Sequence, residues 1–208
     1  MKNEELRIVH CALRNCALCI VHCALCMFTV SCSEDEGEPA EFDNWQSRND
    51  AVVVEWAANS SYRKIRTYTQ DDASEGQNRD FIYVEVLETG SGKVSPLQTD
   101  TARVAYRGRL IPSKTYSEGY VFDESYLGDF NWKTIGTISG ASWIEGFQTA
   151  LLNMHIGDRW RVYIPYNLAY GSASTTTRPA YSNLIFDIAL VDFWHPGENR
   201  PTFKGREK

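Results

Sequence analysis

Two Cys-x2-Cys pairs near the N-terminus have the spacing of a metal site. Thiolates and imidazoles at such spacing are typical zinc ligands. A zinc site needs polar turns between its ligand pairs, and this stretch has none. A metal site is therefore the less favoured of two interpretations of the segment, the other being a signal peptide. The residues that would form it are Cys16 and Cys19, Cys23 and Cys26, and the nearby His10 and His22.

A signal peptide explains the same segment without a metal. Basic residues precede a run from Cys16 to Ser31 that carries no charge, which suits the apolar core of a signal. Its end, Thr29-Val30-Ser31-Cys32, resembles a bacterial lipobox. The resemblance implies cleavage before Cys32 and lipidation of that cysteine, which would anchor the chain in a membrane. Ordinary secretion, with Cys32 as a bystander, is the alternative.

The residues after Cys32 are acidic and are expected to form a solvated tether (Ser33 to Pro39). Acidic residues at this place also resemble the surface-export signals of some Gram-negative lipoproteins. We therefore expect residues 1–31 to be a lipoprotein signal peptide and 32–79 to be the tether and an N-terminal helix. The expected location is the cell envelope, at the outer membrane.

The rest of the chain excludes several classes of function. All six cysteines lie in the first 32 residues, so the body has neither disulfides nor a cysteine nucleophile. The net charge of −6 argues against a nucleic-acid partner, because phosphate binding needs a basic face. His155 and His195 are isolated in the sequence, and no phosphate loop or catalytic triad motif is present. Asp187 falls in the middle of a predicted strand, where we expect it to be exposed or paired.

Aromatic residues are the remaining candidates for chemistry, because they are dense near predicted strand ends and loops. Each ring taken alone is better explained by core packing than by a functional role. The rings are Tyr106, Phe122, Trp132, Trp143, Phe147, Tyr170 and Phe186.

The elements that position these residues follow from hydrophobic periodicity. A helix is predicted over residues 44–60, which should pack on the domain or on a partner. Alternation with a period of two predicts four strong strands, and one short helix is predicted between the second and the third. This order indicates an α+β fold with an antiparallel sheet and a helix against one face. The strands are 81–87, 101–111, 158–164 and 184–193, and the short helix is 143–153.

Six short motifs in one order resemble the FKBP-type peptidyl-prolyl cis-trans isomerase domain, over about residues 80–194. They are Val104-Ala105-Tyr106-Arg107-Gly108, Val121-Phe122-Asp123-Glu124-Ser125, Trp143-Ile144-Glu145-Gly146-Phe147, Met154-x-Ile156-Gly157-Asp158-Arg159, Ile164-Pro165-Tyr166-x-Leu168-Ala169-Tyr170-Gly171 and Leu184-Ile185-Phe186-Asp187-Ile188-x-Leu190. The resemblance implies a twisted antiparallel sheet wrapped around one short helix. The extra N-terminal helix would precede it and a polar tail, 195–208, would follow it.

The resemblance also implies an aromatic pocket that binds a prolyl ring in polypeptide clients, with no cofactor and no metal. Phe147 would form the floor of that pocket, the Ile144 N–H and the Tyr170 hydroxyl would bind substrate carbonyls, and Asp123 would lie at the wall. The implied catalytic residues are Tyr106, Phe122, Asp123 and Tyr170. The implied substrate-binding residues are Trp143, Ile144, Phe147 and Phe186.

Several features depart from the family pattern. The stretch from Leu110 to Phe122 is longer than the family's turn, residues 172–177 replace a loop that usually helps to bind substrate, and Arg178 stands where an apolar residue often precedes proline. Phe130 and Trp132 compete for one further pocket position. Two functions therefore remain open: a lipid-anchored prolyl isomerase that assists folding of envelope or surface proteins, and a non-catalytic FKBP-like binding or chaperone module.

The lipobox interpretation predicts metabolic labelling of the protein with fatty acid in a bacterial host. Cys32→Ala should abolish the label and release or mislocalise the protein, because the acceptor thiol is removed. Cys26→Ala is the matched control and should keep the label. Equal labelling of the Cys32→Ala protein would reject the interpretation.

Overall fold

The computed structural model describes residues 40–70, 75–133, 136–139 and 143–203. The expected signal peptide (1–31), Cys32 and the acidic tether lie outside these residues. No helix in the described ranges is long and apolar enough to cross a membrane.

Seven strands form one antiparallel sheet, in the order β1-β2-β6-β7-β3-β4, with β5 paired to β3 beside β4. The four predicted strands are present, each within one residue of its expected bounds, while β1, β4 and β5 are too short for periodicity to detect. The elements are α1 (Trp45–Ala58), β1 (Arg63–Arg66), β2 (Phe81–Glu88), β3 (Thr101–Leu110), β4 (Val121–Glu124), β5 (Thr137–Ser139), α2 (Glu145–Leu151), β6 (Arg159–Ile164) and β7 (Leu184–Trp194).

The central strand β7 explains why the sheet has two buried faces. Its first seven residues are all buried, and it pairs with β6 on one side and β3 on the other. Side chains of one parity, including Phe186 and Ile188, face α2. Those of the other parity, including Ile185 and Asp187, face the opposite side, which we call the outer face. This alternation divides the strand's residues between two different environments.

The short helix α2 is buried along its length. Six of its seven residues, Gly146 to Leu151, are buried. A helix of two turns is not stable alone in water, so its stability must come from packing. Glu145 at its first position accepts hydrogen bonds from the hydroxyls of Thr67 and Thr69, in the segment after β1. The helix is thereby held to the sheet at its N-terminal end, where the candidate site lies.

The predicted N-terminal helix packs on this same unit, against the outer face and the segment before β7. The Trp45 indole donates to Ser182 Oγ at 2.8 Å, and the Trp56 ring lies 5.2 Å from the Tyr163 ring. Asn49, buried on the same helix face, accepts from the Asn183 N–H at 2.7 Å through Oδ1. The Asn183 side-chain amide also donates to the Asn49 backbone carbonyl at 2.6 Å. Sequence periodicity missed Asn49, because a polar residue does not contribute to an apolar stripe.

A group of ion pairs lies on another part of the outer face. Asp187 is buried between Arg109, at 3.1 Å, and Arg161, at 2.7 Å, which confirms that it is structurally paired. The Asp187 carboxylate raises the pKa of Arg161. These contacts account for Asp187 without a role in catalysis.

The C-terminal segment is tied to the start of β3 as far as it is described. The buried Arg103 donates to the Pro201 carbonyl at 3.1 Å. His195 lies 2.7 Å from Asp100, and this hydrogen bond raises the pKa of the imidazole. Both histidines of the body have carboxylate neighbours, since His155 lies 3.5 Å from Asp158.

The Asn49–Asn183 pair predicts a large effect on stability. Asn49→Ala should lower the free energy of unfolding by about 2–3 kcal/mol, because it leaves the buried Asn183 N–H without its acceptor. Urea unfolding of the full chain, followed by tryptophan fluorescence, measures this change. Ser47→Ala, at an exposed position of the same helix, is the control and should change stability little. A loss below 0.5 kcal/mol for Asn49→Ala would contradict the assigned role.

Candidate active site

Four elements bring five aromatic rings together at one end of the sheet. Phe147 is at the centre and is only 1% exposed. Its ring stacks on Trp143 at 4.4 Å and meets Tyr106 at 5.8 Å and Phe186 at 5.2 Å, both edge to face. Phe122 extends the group through Phe186, at 5.6 Å. We call these five residues the aromatic cluster, and all five were among the residues singled out from the sequence.

Gly108 allows two of these rings to approach the sheet. It pairs with Phe186 across β3 and β7. A Cβ atom at this position would lie 2.6 Å from the Phe186 ring and 2.9 Å from the Phe122 ring, both shorter than any normal contact. A glycine is therefore required here for the cluster to close over β3.

Tyr106 and Asp123 supply the polar side of the cluster. The Tyr106 hydroxyl donates to Asp123 Oδ2 at 2.9 Å, across the β3–β4 pair. Burial raises the pKa of Tyr106, and the hydrogen bond to Asp123, its charge and the nearby Tyr170 raise it further. The phenol therefore stays protonated well above neutral pH and remains a donor.

Ile144 immediately precedes α2 in extended conformation, with φ −60° and ψ 152°. Its carbonyl accepts the Gln148 N–H at 3.0 Å, the first turn of the helix. Among the described residues, no hydrogen bond uses the Ile144 N–H as donor. The side chain packs against the core beside Trp143. The Ile144 N–H is therefore a backbone donor that lies, in the sequence, between Trp143 and Phe147, two residues of the aromatic cluster.

Tyr170 lies outside the ring contacts of the cluster and is 42% exposed. Its ring is covered on one face by the Arg178 guanidinium, at 4.0 Å from the ring centroid. Arg178 is only 5% exposed, donates to the Ala173 carbonyl at 2.8 Å, and burial lowers its pKa. From the sequence, Arg178 was noted only as a departure from the family pattern. The available signal was an arginine directly before a proline and eight residues after the aromatic Tyr170.

Phe130 and Trp132, the two competitors for a further pocket position, lie elsewhere. They pack on the outer face with Tyr126, near Ala105 and Ala189. Their rings are 5.1 Å apart, and the Trp132 indole donates to Glu88 at 3.0 Å. Neither residue joins the aromatic cluster.

The site offers an apolar ring surface with hydroxyl and N–H donors at its margin. No group of three or more histidine, cysteine or carboxylate side chains that could hold a metal occurs in the described parts of the chain. The arrangement has no activated nucleophile. It is suited to binding a non-polar group next to polar backbone atoms.

Comparison with known proteins indicates which protein family this chain resembles. Residues 92–191 match the family model described as FKBP-type peptidyl-prolyl cis-trans isomerase. The chain is 39% identical over 115 residues to the macrophage infectivity potentiator of Trypanosoma cruzi, covering 55% of this chain and 54% of the relative. It is 34% identical over 111 residues to the FKBP-type isomerase FkpA of Escherichia coli, covering 53% of this chain and 37% of that protein. The chain thus spans about half or less of the length of these relatives.

A solved structure agrees with the fold. The isomerase of Pseudomonas syringae pv. tomato superposes with a TM-score of 0.54 at 24% identity, over 76% of this chain and 98% of that one. This similarity confirms the predicted sheet wrapped around a short helix, with an N-terminal helix before it. Residues 92–191, which contain the whole aromatic cluster, match the family of FKBP-type peptidyl-prolyl cis-trans isomerases.

Proposed function

We propose that this protein accelerates cis-trans isomerisation of X-Pro bonds in polypeptide clients and assists the folding of envelope or surface proteins. The observation that carries the proposal is the aromatic cluster, closed over Gly108 and bordered by the Tyr106–Asp123 hydrogen bond. The family model that matches residues 92–191 and the Escherichia coli relative named above, an FKBP-type isomerase, support the activity.

The chemistry of this reaction suits a site without a nucleophile. The planar peptide bond is held by resonance, with a rotational barrier of about 18–20 kcal/mol. Uncatalysed X-Pro isomerisation takes about tens to hundreds of seconds. The planar amide is more polar than the twisted one, so an apolar surface disfavours the ground state. Fixed donors that bind the twisted amide better then lower the barrier.

Particular residues are assigned to these tasks. Trp143, Phe147 and Phe186 hold the prolyl ring, with Phe147 as the floor and Phe122 at the side. The Ile144 N–H binds a substrate carbonyl, and the Tyr170 hydroxyl binds another. At the wall of the pocket, the Tyr106 hydroxyl donates a hydrogen bond to Asp123. This bond keeps the Asp123 carboxylate from binding the amide groups of the substrate. No cofactor or metal takes part.

The location of the activity is part of the same proposal. A lipid on Cys32 would hold the isomerase domain at the cell envelope, on the outer membrane, through the acidic tether. The support is the uncharged run before Cys32 and the lipobox-like Thr29–Cys32. The net negative charge supports polypeptides rather than nucleic acids as clients.

The alternative function is a peptide-binding or chaperone module that does not accelerate rotation. One observation favours it: the Arg178 guanidinium covers a face of the Tyr170 ring. If this contact holds the Tyr170 hydroxyl away from the substrate carbonyl, the cluster binds proline but does not stabilise the twisted amide.

Isomerisation of a proline tetrapeptide by the full chain, followed in a protease-coupled assay, tests the assignments. Tyr170→Phe should lower kcat/KM about two- to tenfold, since one hydrogen bond contributes roughly 0.5–1.5 kcal/mol. Asp123→Leu should cost at least as much, because it leaves the Tyr106 hydroxyl unpaired. Phe147→Ala should cost most, and part of its effect is a core destabilisation of about 3–5 kcal/mol.

Matched variants separate these effects from general ones. Tyr68→Phe and Asp129→Leu change exposed residues outside the cluster and should keep wild-type kcat/KM. Each protein is first shown to be folded by circular dichroism. If the three cluster variants are folded and as active as wild type, the site assignment is wrong. An inactive wild type that binds proline peptides through Phe147 would establish the binding module instead.

The raised pKa of Tyr106 predicts a flat pH profile. A phenol whose pKa is raised keeps its proton to higher pH, so its bond to Asp123 persists throughout the neutral and mildly alkaline range. We expect kcat/KM to change less than about twofold from pH 6 to 9, measured by a protease-free NMR exchange assay. Tyr106→Phe should show an equally flat profile at a lower rate. An inflection that is present in wild type and absent from Tyr106→Phe would contradict this role.

A further inference from the structure

A cleft lies between two segments in which the chain departs from the family pattern. The cleft has a volume of about 530 Å³. Its rings are Phe42, Tyr116 and Tyr120, and its hydroxyl groups come from Thr115 and the three threonines 175–177. The tyrosines belong to the long connection between β3 and β4, and the threonines to the altered loop before β7.

Hydrogen bonds and a ring contact within the protein already hold the walls of this cleft in place before any ligand binds. The Glu41 carboxylate accepts from the Thr115 N–H at 3.3 Å and from the Thr115 hydroxyl. Hydrogen bonds from Ser113 and Thr115 lower the pKa of Glu41, so it is ionised at neutral pH. Gly119, with φ 84°, lets the Tyr116 and Tyr120 rings meet at 5.0 Å. A Cβ atom at position 119 would lie 2.0 Å from the Leu110 carbonyl oxygen, which is too close for any side chain.

The opposite wall is fixed in the same way. The Thr175 N–H donates to the Arg178 carbonyl at 2.8 Å, and the Arg178 N–H donates back to the Thr175 hydroxyl at 3.1 Å. The Arg178 side chain closes the loop through the Ala173 carbonyl. The threonines therefore present their side chains from a closed loop.

Two residues that line the cleft are close in sequence to residues of the candidate site. Tyr120 is two residues before Phe122, and both pack against the main core. Two residues of extended chain span about 7 Å. On the other wall, Pro179 follows Arg178, whose guanidinium lies over Tyr170. An extended peptide that leaves the cluster therefore reaches the cleft within two to four residues.

The chemistry of the lining selects one class of occupant. Exposed rings on rigid contacts provide apolar surface at low entropic cost, and hydroxyl groups can both donate to and accept from an extended peptide backbone. No lysine or arginine lines the cleft within the described residues, and the ionised Glu41 repels anions. Phosphorylated or acidic ligands are thus disfavoured.

We propose that this cleft binds the part of the client polypeptide that flanks the isomerised proline, with an aromatic side chain two to four residues away held between Tyr116, Tyr120 and Phe42. The proposal rests on the function proposed above. It makes the isomerase selective for proline in an aromatic context, by a site outside the aromatic cluster.

Two sets of peptides test the proposal with the full chain. The first is a proline tetrapeptide, which is too short to reach the cleft. The second consists of nine-residue peptides with phenylalanine or serine three positions before or after the proline. In at least one position, phenylalanine should lower the Kd, measured by fluorescence anisotropy, roughly five- to tenfold relative to serine.

The variants locate this preference. Tyr116→Ala should remove the phenylalanine advantage and keep wild-type kcat/KM on the tetrapeptide. Phe42→Ala should reduce the phenylalanine advantage. This second variant shows that the effect of Tyr116→Ala does not come from a local rearrangement around residue 116. Tyr68→Ala is the matched control, because Tyr68 and Tyr116 are both 40% exposed, and it should keep the advantage.

The outcomes separate this proposal from the isomerase function. If wild type shows no phenylalanine advantage, or both variants retain it, the cleft does not bind clients, whatever the tetrapeptide rate. If the tetrapeptide is not isomerised but Tyr116→Ala removes the advantage in binding, the isomerase function fails and the cleft assignment stands. If sedimentation shows self-association that Tyr116→Ala abolishes, the occupant is a second copy and the proposal is overturned.

Discussion

Burial of the seven-residue helix α2 is the constraint on which the site depends. A helix of this length is unstable by itself, so its conformation is set by the sheet around it. The same burial places Phe147 against rings from β3 and β7. Gly108 then becomes necessary, because no side chain fits beneath Phe122 and Phe186. The aromatic cluster is therefore a consequence of the main core, to which its rings belong or against which they pack.

The two faces of the sheet divide structural and functional tasks. On the outer face, Asp187 and two arginines form a buried ion-pair group, and α1 covers the neighbouring surface. Buried charges of this kind require partners, since removing one leaves the others unsatisfied. On the inner face, β7 presents Phe186 to the cluster. The strand β7 thus contributes both to a charged structural network and to the candidate site. The two are kept apart because successive side chains of the strand point to opposite faces of the sheet.

The segments outside the family pattern share one location. Glu41, the connection between β3 and β4 and the loop carrying Arg178 line a single cleft or lie beside it. Loops tolerate changes of length because they lie at the surface, and binding specificity often depends on them. The residues of the aromatic cluster follow the family motifs, whereas the departures from those motifs are found around the cleft.

The sequence alone determined the strongly periodic strands, the two helices, the fold class and the identity of the cluster residues, because period and motif order are local properties. It did not reveal β1, β4 and β5, which are too short to show a period and exist only through their partners. It also left Phe130 and Trp132 as competitors, since only the path of the chain after β4 places them on the outer face. The structural roles of Asn49 and Arg178 became clear only in three dimensions. A buried polar residue is identified by the partner that satisfies it, and those partners are Asn183, 134 residues away along the chain, and the Tyr170 ring.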